Sequence, residues 1–201
     1  MGRPLKYTLL WIISSILLVS CSVPIANISE QYRLKDNRGV VLLSLTASGE
    51  CGFVFFTEIR ELGSGSAYSI GMQDFGRERD WVKNDSKCPS TPDNYFGKLV
   101  VIELPAGEYE IYQLEGLSKY EKIYAERELS IKFTVVPAKV NYLGNLHYHI
   151  KKKNFIYGVK NMMQRDIPLL ISKYGQFDSQ DIIVNLLRMK KVKVMTAQSR
   201  P

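Results

Sequence analysis

The sequence is poor in the residues that usually announce chemistry. It holds two histidines, His147 and His149, and three cysteines, Cys21, Cys51 and Cys88. No glycine-rich phosphate loop ending in Lys-Ser/Thr occurs, and no His-Glu-x-x-His pair. Gly63-Ser64-Gly65-Ser66-Ala67 lacks the flanking glycine that a nucleophile elbow needs, and reads as a link between strands. His147 and His149 fall on one face of a strand, yet a zinc site needs at least a third protein ligand and none stands nearby in sequence. A catalytic thiol served by either histidine has no local signature. Glu108, Glu110, Glu115 and Glu121 alternate or scatter, and read as a solvated face rather than an acid/base pair. Long apolar runs are also missing: the longest, Thr8 to Val19, falls short of the ~20 residues of a membrane-spanning helix. The expectation is a protein without cofactor, metal or catalytic set.

What is present starts with targeting. Arg3 and Lys6 precede the Thr8 to Val19 run, and a small residue follows it, which is the pattern of a cleaved signal peptide over residues 1–20. Leu18-Val19-Ser20-Cys21 resembles the lipobox of bacterial lipoproteins, where cleavage before the cysteine leaves it acylated. The resemblance implies that Cys21 is the first mature residue and carries the acyl chains, which together anchor stably where one alone is marginal. Ser22, rather than Asp, follows the cysteine; in Gram-negative lipoproteins that is similar to the signal for onward sorting to the outer membrane, facing the periplasm.

Removing Arg3 and Lys6 with the signal peptide lowers the basic residues from 27 to 25, against 20 acidic ones. An exported, tethered, basic chain meets membrane, lipid, glycan or envelope protein rather than nucleic acid. The positive charge gathers at Lys151, Lys152 and Lys153 and again at Arg188, Lys190, Lys191 and Lys193; such runs are ordinarily solvated loops. Once Cys21 is acylated, Cys51 and Cys88 are left as a lone pair in an oxidising envelope, the natural partners for a disulfide.

Residues 21–36 show little periodicity and suit a lipidated tether. From residue 37 the chain is strand-like, with Val, Ile, Tyr, Phe and Thr runs between turn residues. Strands are expected at 39–47, 52–58, 67–72, 98–104, 109–114, 130–136, 141–150 and 155–159. Ile131, Phe133 and Val135 alternate with Ser130, Lys132 and Thr134, one face buried and one wet. Between Leu104 and Tyr109, Pro105 ends a ladder, Gly107 accepts a positive φ, and the Tyr109 hydroxyl can reach back to upstream backbone as in a tyrosine corner. The Gln73 to Asn94 stretch is long and polar, and Trp81 inside it is either a packing anchor or a contact residue. A helix is expected with Asp166 capping it, Pro168 in its first turn, and Ile167, Leu170, Ile171 and Tyr174 as the apolar stripe. Residues 180–188 are ambiguous between strand and helix, and the tail from 196 is expected to be loose. The fold expected for 37–195 is a mainly β, antiparallel β-sandwich with one C-terminal helix packed on it.

Leu104 to Tyr112 (LPAGEYEIY), Phe133 to Gly144 (FTVVPAKVNYLG) and the later Val159 to Tyr174 stretch resemble a set of bacterial lipoproteins with a transthyretin-like or carboxypeptidase-regulatory-like β-sandwich, whose strand after a hairpin reads V-x-Y-L-G. Val140, Tyr142, Leu143 and Gly144 match that strand, and Ala138 stands where such sequences often carry glycine. The resemblance implies a fold and an address, and no activity.

Two functional classes follow. The first is a lipid-anchored, noncatalytic envelope module that binds a protein, lipid or glycan, with Trp81 and Lys151, Lys152 and Lys153 as contact surface. The second is an envelope enzyme or metal-binding protein using His147 and His149.

Overall fold

The computed structural model describes residues 23–24, 27–49, 53–73, 95–118, 122–124, 129–151, 154–189 and 193–196. Their elements, in chain order, are β1 (Val23–Pro24), β2 (Arg38–Gly49), β3 (Phe53–Glu61), β4 (Ala67–Gln73), β5 (Phe96–Pro105), β6 (Gly107–Ser118), β7 (Lys122–Tyr124), β8 (Ile131–Val135), β9 (Val140–Lys151), β10 (Asn154–Lys160), α1 (Met163–Lys173), a 3-10 turn (Ser179–Asp181), β11 (Ile182–Val184) and β12 (Lys193–Thr196). The described residues are mainly β, and among them are two six-stranded sheets and one α-helix. One sheet runs β1-β4-β3-β6-β7 with β8 also on β6; the other runs β12-β10-β9-β2-β5 with β11 also on β9. The eight expected strands are present within a few residues of their expected bounds.

The two sheets share one core. Phe55, Ile59, Ile70, Tyr109 and Ile111 from the first meet Val41, Leu43, Leu45, Val100 and Ile102 from the second. Phe55 stacks on Tyr148 with ring centroids 4.7 Å apart, and the Tyr148 hydroxyl lies 2.8 Å from Thr57 Oγ1, so this buried tyrosine of β9 satisfies its polar tip across the gap.

The expected all-antiparallel pairing does not hold. β2 pairs parallel with β9, β11 parallel with β9, and β1 parallel with β4. Hairpin connections impose antiparallel pairing only on strands adjacent in sequence. β2 and β9 are separated by most of the first sheet and start from the same end of the molecule. The composition of β2 carries this position: Val40 to Ala47 is buried at every residue, on both faces, where an edge or one-sided strand would alternate.

The strand ends sort into two groups. Arg38 pairs with Pro105, and Leu62 N–H donates to Glu108 O and Ala106 N–H to Asn37 O, so residues 33–38, the 62–66 turn, the 105–107 corner and the 136–139 turn lie at one end. Gly49, Phe53, Gln73, Phe96, Ser118, Lys151 and Asn154 lie at the other. At the 105–107 corner the Tyr109 hydroxyl donates to Pro105 O at 2.9 Å, as expected of a tyrosine corner. Gly107 is not in a left-handed conformation; at the 136–139 turn of the same end Ala138 is, at φ 52°. Glycine suits that position because it has no Cβ to crowd the backbone.

From Asn27 the stretch expected to be a tether lies along the edge of β5. Asn27 Nδ2 donates to Leu99 O, Val101 N–H donates to Asn27 Oδ1, and Ile28 N–H donates to Val101 O. Tyr32 then donates to Glu103, which also pairs with Lys35 and Arg38. An open strand edge presents unpaired backbone groups, and this segment covers them.

α1 begins three residues earlier than its expected cap. Met162 is the N-cap without a side-chain hydrogen bond, Asp166 is the fourth helical residue, and Pro168 is inside the helix. Asp166 fails to cap because its carboxylate points into the sheet. Of the expected apolar stripe, Ile167, Leu170 and Tyr174 pack there and Ile171 is not part of the cluster; with Phe177 they cover Val40, Leu42, Leu99, Val101, Val140 and Tyr142 on the outer face of the second sheet. The ambiguous 180–188 segment divides into the end of the 3-10 turn, β11 and an extended run beyond it. Thr196, expected in the tail, closes β12 against Asn154.

Candidate functional site

The outer face of the second sheet changes character halfway along. Val40 and Leu42 of β2 are followed on the same face by Ser44, Thr46 and Ser48; Val140 and Tyr142 of β9 are followed by Asn145, His147 and His149. A period of two cannot carry Tyr142 and Asn145 to one face without an extra residue. The extra residue is supplied by a bulge: Leu42 pairs with Tyr142 but Leu43 with Gly144, and Gly144 adopts φ 100°. The bulge turns Leu143, Leu146 and Tyr148 to the shared core and sets both histidines facing outward over β2.

The six polar side chains form a ladder. Ser44, Thr46 and Ser48 are at most 1% exposed, Asn145 3% and His147 7%. Thr46 Oγ1 donates to Asn145 Oδ1 at 2.9 Å and therefore accepts from His147 Nδ1–H at 2.8 Å. This fixes the tautomer of His147: its Nε2 is the acceptor for the Ser48 hydroxyl at 3.0 Å, and Ser48 Oγ in turn accepts from His149 Nδ1–H at 2.9 Å. Burial, and then the positive charges of Lys160 and Arg165 with His149 beside them, depresses His147 to about 4. It is a neutral imidazole at neutral pH. Gly97 of β5 lies opposite Thr46, and a Cβ there would fall 2.6 Å from Thr46 Cγ2.

α1 closes the lower end of the ladder with charge. Asp166, fully buried, accepts from Ser44 Oγ at 2.7 Å, from the Tyr142 hydroxyl at 2.9 Å and from Arg165 Nε at 2.7 Å. Arg165 Nη2 also reaches Ser44 Oγ at 2.8 Å, and its guanidinium lies 5.1 Å from the ring centroid of Tyr95. Tyr95 meets His147 edge-on at 6.3 Å. The Tyr142 hydroxyl accepts from Met162 N–H, so one phenol ties the helix start to the sheet; burial and the Asp166 carboxylate both raise its pKa.

Sequence reasoning located the two histidines on one face but missed their partners. Ser44, Thr46 and Ser48 interrupt the apolar β2 run at period two, and that was the available signal. Glu110, read as part of a solvated face, is 4% exposed: it pairs with Arg60, accepts from Ser130 Oγ at 2.8 Å, and is held below the usual carboxylate range despite burial by those two bonds. The remaining candidates, Cys21, Cys51, Cys88, Trp81, Lys152 and Lys153, lie outside the described residues, and Lys151 is the last residue of β9. Among the described residues no group of three or more His, Cys, Asp or Glu could hold a metal ion, and no helix is long and apolar enough to cross a membrane. An open groove of about 550 Å³ runs beside β11, lined by Val159, Val184 and residues 185–189.

No family model matches the chain, and no curated protein does. Among solved structures, part of a leucine-rich repeat protein from Bacteroides thetaiotaomicron is similar over 58% of this chain and 14% of that one, at 15% identity and a TM-score of 0.35. The chain thus corresponds to a small part of that protein's length.

Proposed function

We propose that this is a lipid-anchored protein of the bacterial cell envelope whose domain acts as a noncatalytic binding or structural module. In this reading Cys21 is acylated, the anchor sits in the outer membrane facing the periplasm, and the two facing sheets form a β-sandwich of the transthyretin-like kind. The observation that carries the noncatalytic part is the ladder: Thr46, Ser48 and both ring nitrogens of His147 are engaged with one another under cover, which spends their hydrogen-bonding capacity on the fold. The contact surface is the end where Gln73, Tyr95, Lys151 and Asn154 lie. The proposed contact residues are Trp81 and Lys151, Lys152 and Lys153, with a Cys51 to Cys88 disulfide as part of the same reading. Replacing Lys151, Lys152 and Lys153 with Ser should weaken capture of an envelope partner and reduce its salt sensitivity. Unchanged capture with a folded, acylated protein argues against this surface.

One observation favours a second reading, an envelope hydrolase. Ser48 Oγ lies between His147 Nε2 and His149 Nδ1, and a neutral imidazole accepting a serine proton is a nucleophile with its base. Treating the intact protein with a fluorophosphonate separates the two readings: an adduct on Ser48 establishes the enzyme, and an unmodified Ser48 supports the structural ladder.

A further inference from the structure

The N-terminal segment is stitched to both sheets almost as soon as it leaves the expected lipidation site. Val23 and Pro24 pair in parallel with Tyr68 and Ser69 at the free edge of β4. Asn27 and Ile28 are already bonded to Leu99 and Val101 of β5, so three peptide steps separate Pro24 on one sheet from Asn27 on the other, enough for the ~10 Å between facing sheets. Only Ser22 separates Val23 from Cys21, which limits the acylated residue to about 7 Å from Val23. Because the pairing is parallel, the Val23 end of β1 is the one nearer Ala67 and the turn between β3 and β4.

That turn is Leu62, Gly63, Ser64, Gly65 and Ser66, all exposed, with the Leu62 side chain uncovered at 36%. Exposed charge at the same end is mixed, with Arg33 and Lys35 set against Asp36 and Glu108.

We infer that the domain sits flush on its membrane, with the Leu62 to Ser66 turn against the lipid headgroups, rather than suspended on a tether. This rests on the reading of Cys21 as acylated. The occupant of the surface is the bilayer that holds the acyl chains, since the anchor leaves too little free chain to lift this end away. With charge balanced there, contact is set by the anchor and should persist at high salt. The opposite end, with Gln73, Tyr95 and Lys151, is then the face turned toward partners.

The test uses the full acylated protein in phosphatidylcholine vesicles containing lipid brominated near the headgroup. Leu62→Trp adds a reporter at an exposed position, and Tyr95→Trp adds one at the far end; emission of the unsubstituted protein is subtracted from both. The expected result is loss of the Leu62→Trp signal in brominated vesicles at both low and high salt, with the Tyr95→Trp signal retained. Undiminished Leu62→Trp emission, in protein that floats with the vesicles and whose mass shows acylated Cys21, overturns the orientation and leaves the anchor reading standing. Mass analysis showing an unmodified Cys21 overturns both.

Discussion

The two halves of the second sheet's outer face use the same strands and the same pleat but are closed by different physics. Toward one end Val40, Leu42, Val140 and Tyr142 are covered by Leu170, Tyr174 and Phe177, an apolar contact that tolerates small shifts and is indifferent to pH. Toward the other, Ser44, Thr46 and Ser48 meet Asn145, His147 and His149 through directed bonds that specify tautomer, register and charge. α1 joins both, with Leu170 on the first half and Asp166 on the second. A buried polar group without its partner is penalised far more than a missing methylene, so the second half tolerates less change.

The sharpest way to break the contrast is Asp166→Ala. It leaves the Arg165 charge and the Tyr142 hydroxyl without their acceptor, while Ser44 keeps Asn145 Oδ1 at 3.0 Å, and the expected loss is about 3–5 kcal/mol in urea unfolding. A loss no larger than a surface substitution would mean that the helix is held by its apolar stripe alone.

Next is acid. The pKa of His147 falls from 6.5 to about 4 on folding, so the unfolded chain binds the extra proton between those values. The contribution is complete above pH 6.5 and is lost as pH falls through that window, about 3 kcal/mol in all. His147→Gln should flatten this part of the stability profile; an unchanged slope between pH 6.5 and 4 would locate the sensitivity elsewhere.

Gly144→Ala tests the bulge that separates the halves. At φ 100° any side chain is strained, and a Cβ would meet Lys160 O at 3.1 Å and Val159 Cγ1 at 3.2 Å. A loss of about 1–3 kcal/mol is expected in thermal unfolding, with the histidine ring resonances shifting if register is disturbed. The smallest effect runs the other way: Ala138→Gly relieves a left-handed alanine and should leave stability unchanged or raise it by up to ~1 kcal/mol in the same assay.

Much of the fold was legible because local pattern and local structure coincide. The alternation of Ile131, Phe133 and Val135 set β8, the Pro105 to Tyr109 corner carried its own hydrogen bond, and the Ile167, Leu170 and Tyr174 spacing found the helix. β1, β7, β11 and β12 carry no such pattern, being two to four residues long and stabilised by pairing with distant strands. The parallel β2–β9 pairing was hidden because which distant strand a long strand joins is set by tertiary packing and not by its local pattern.

The apolar strands, the helical stripe, the shared face of His147 and His149, and the expectation of an acylated Cys21 all follow from local pattern. What those strands face follows from the packing of the folded chain. Asp166 reads as a cap by its position before Pro168, yet a carboxylate over Ser44 and Tyr142 gains three donors there, more than helix-end backbone offers it. Glu110 reads as solvated until Arg60 and Ser130, 50 and 20 residues away, are folded against it. Periodicity records which residues avoid water; it cannot record which distant partner makes a polar group tolerable without it, because that partner is set by the packing of the whole chain.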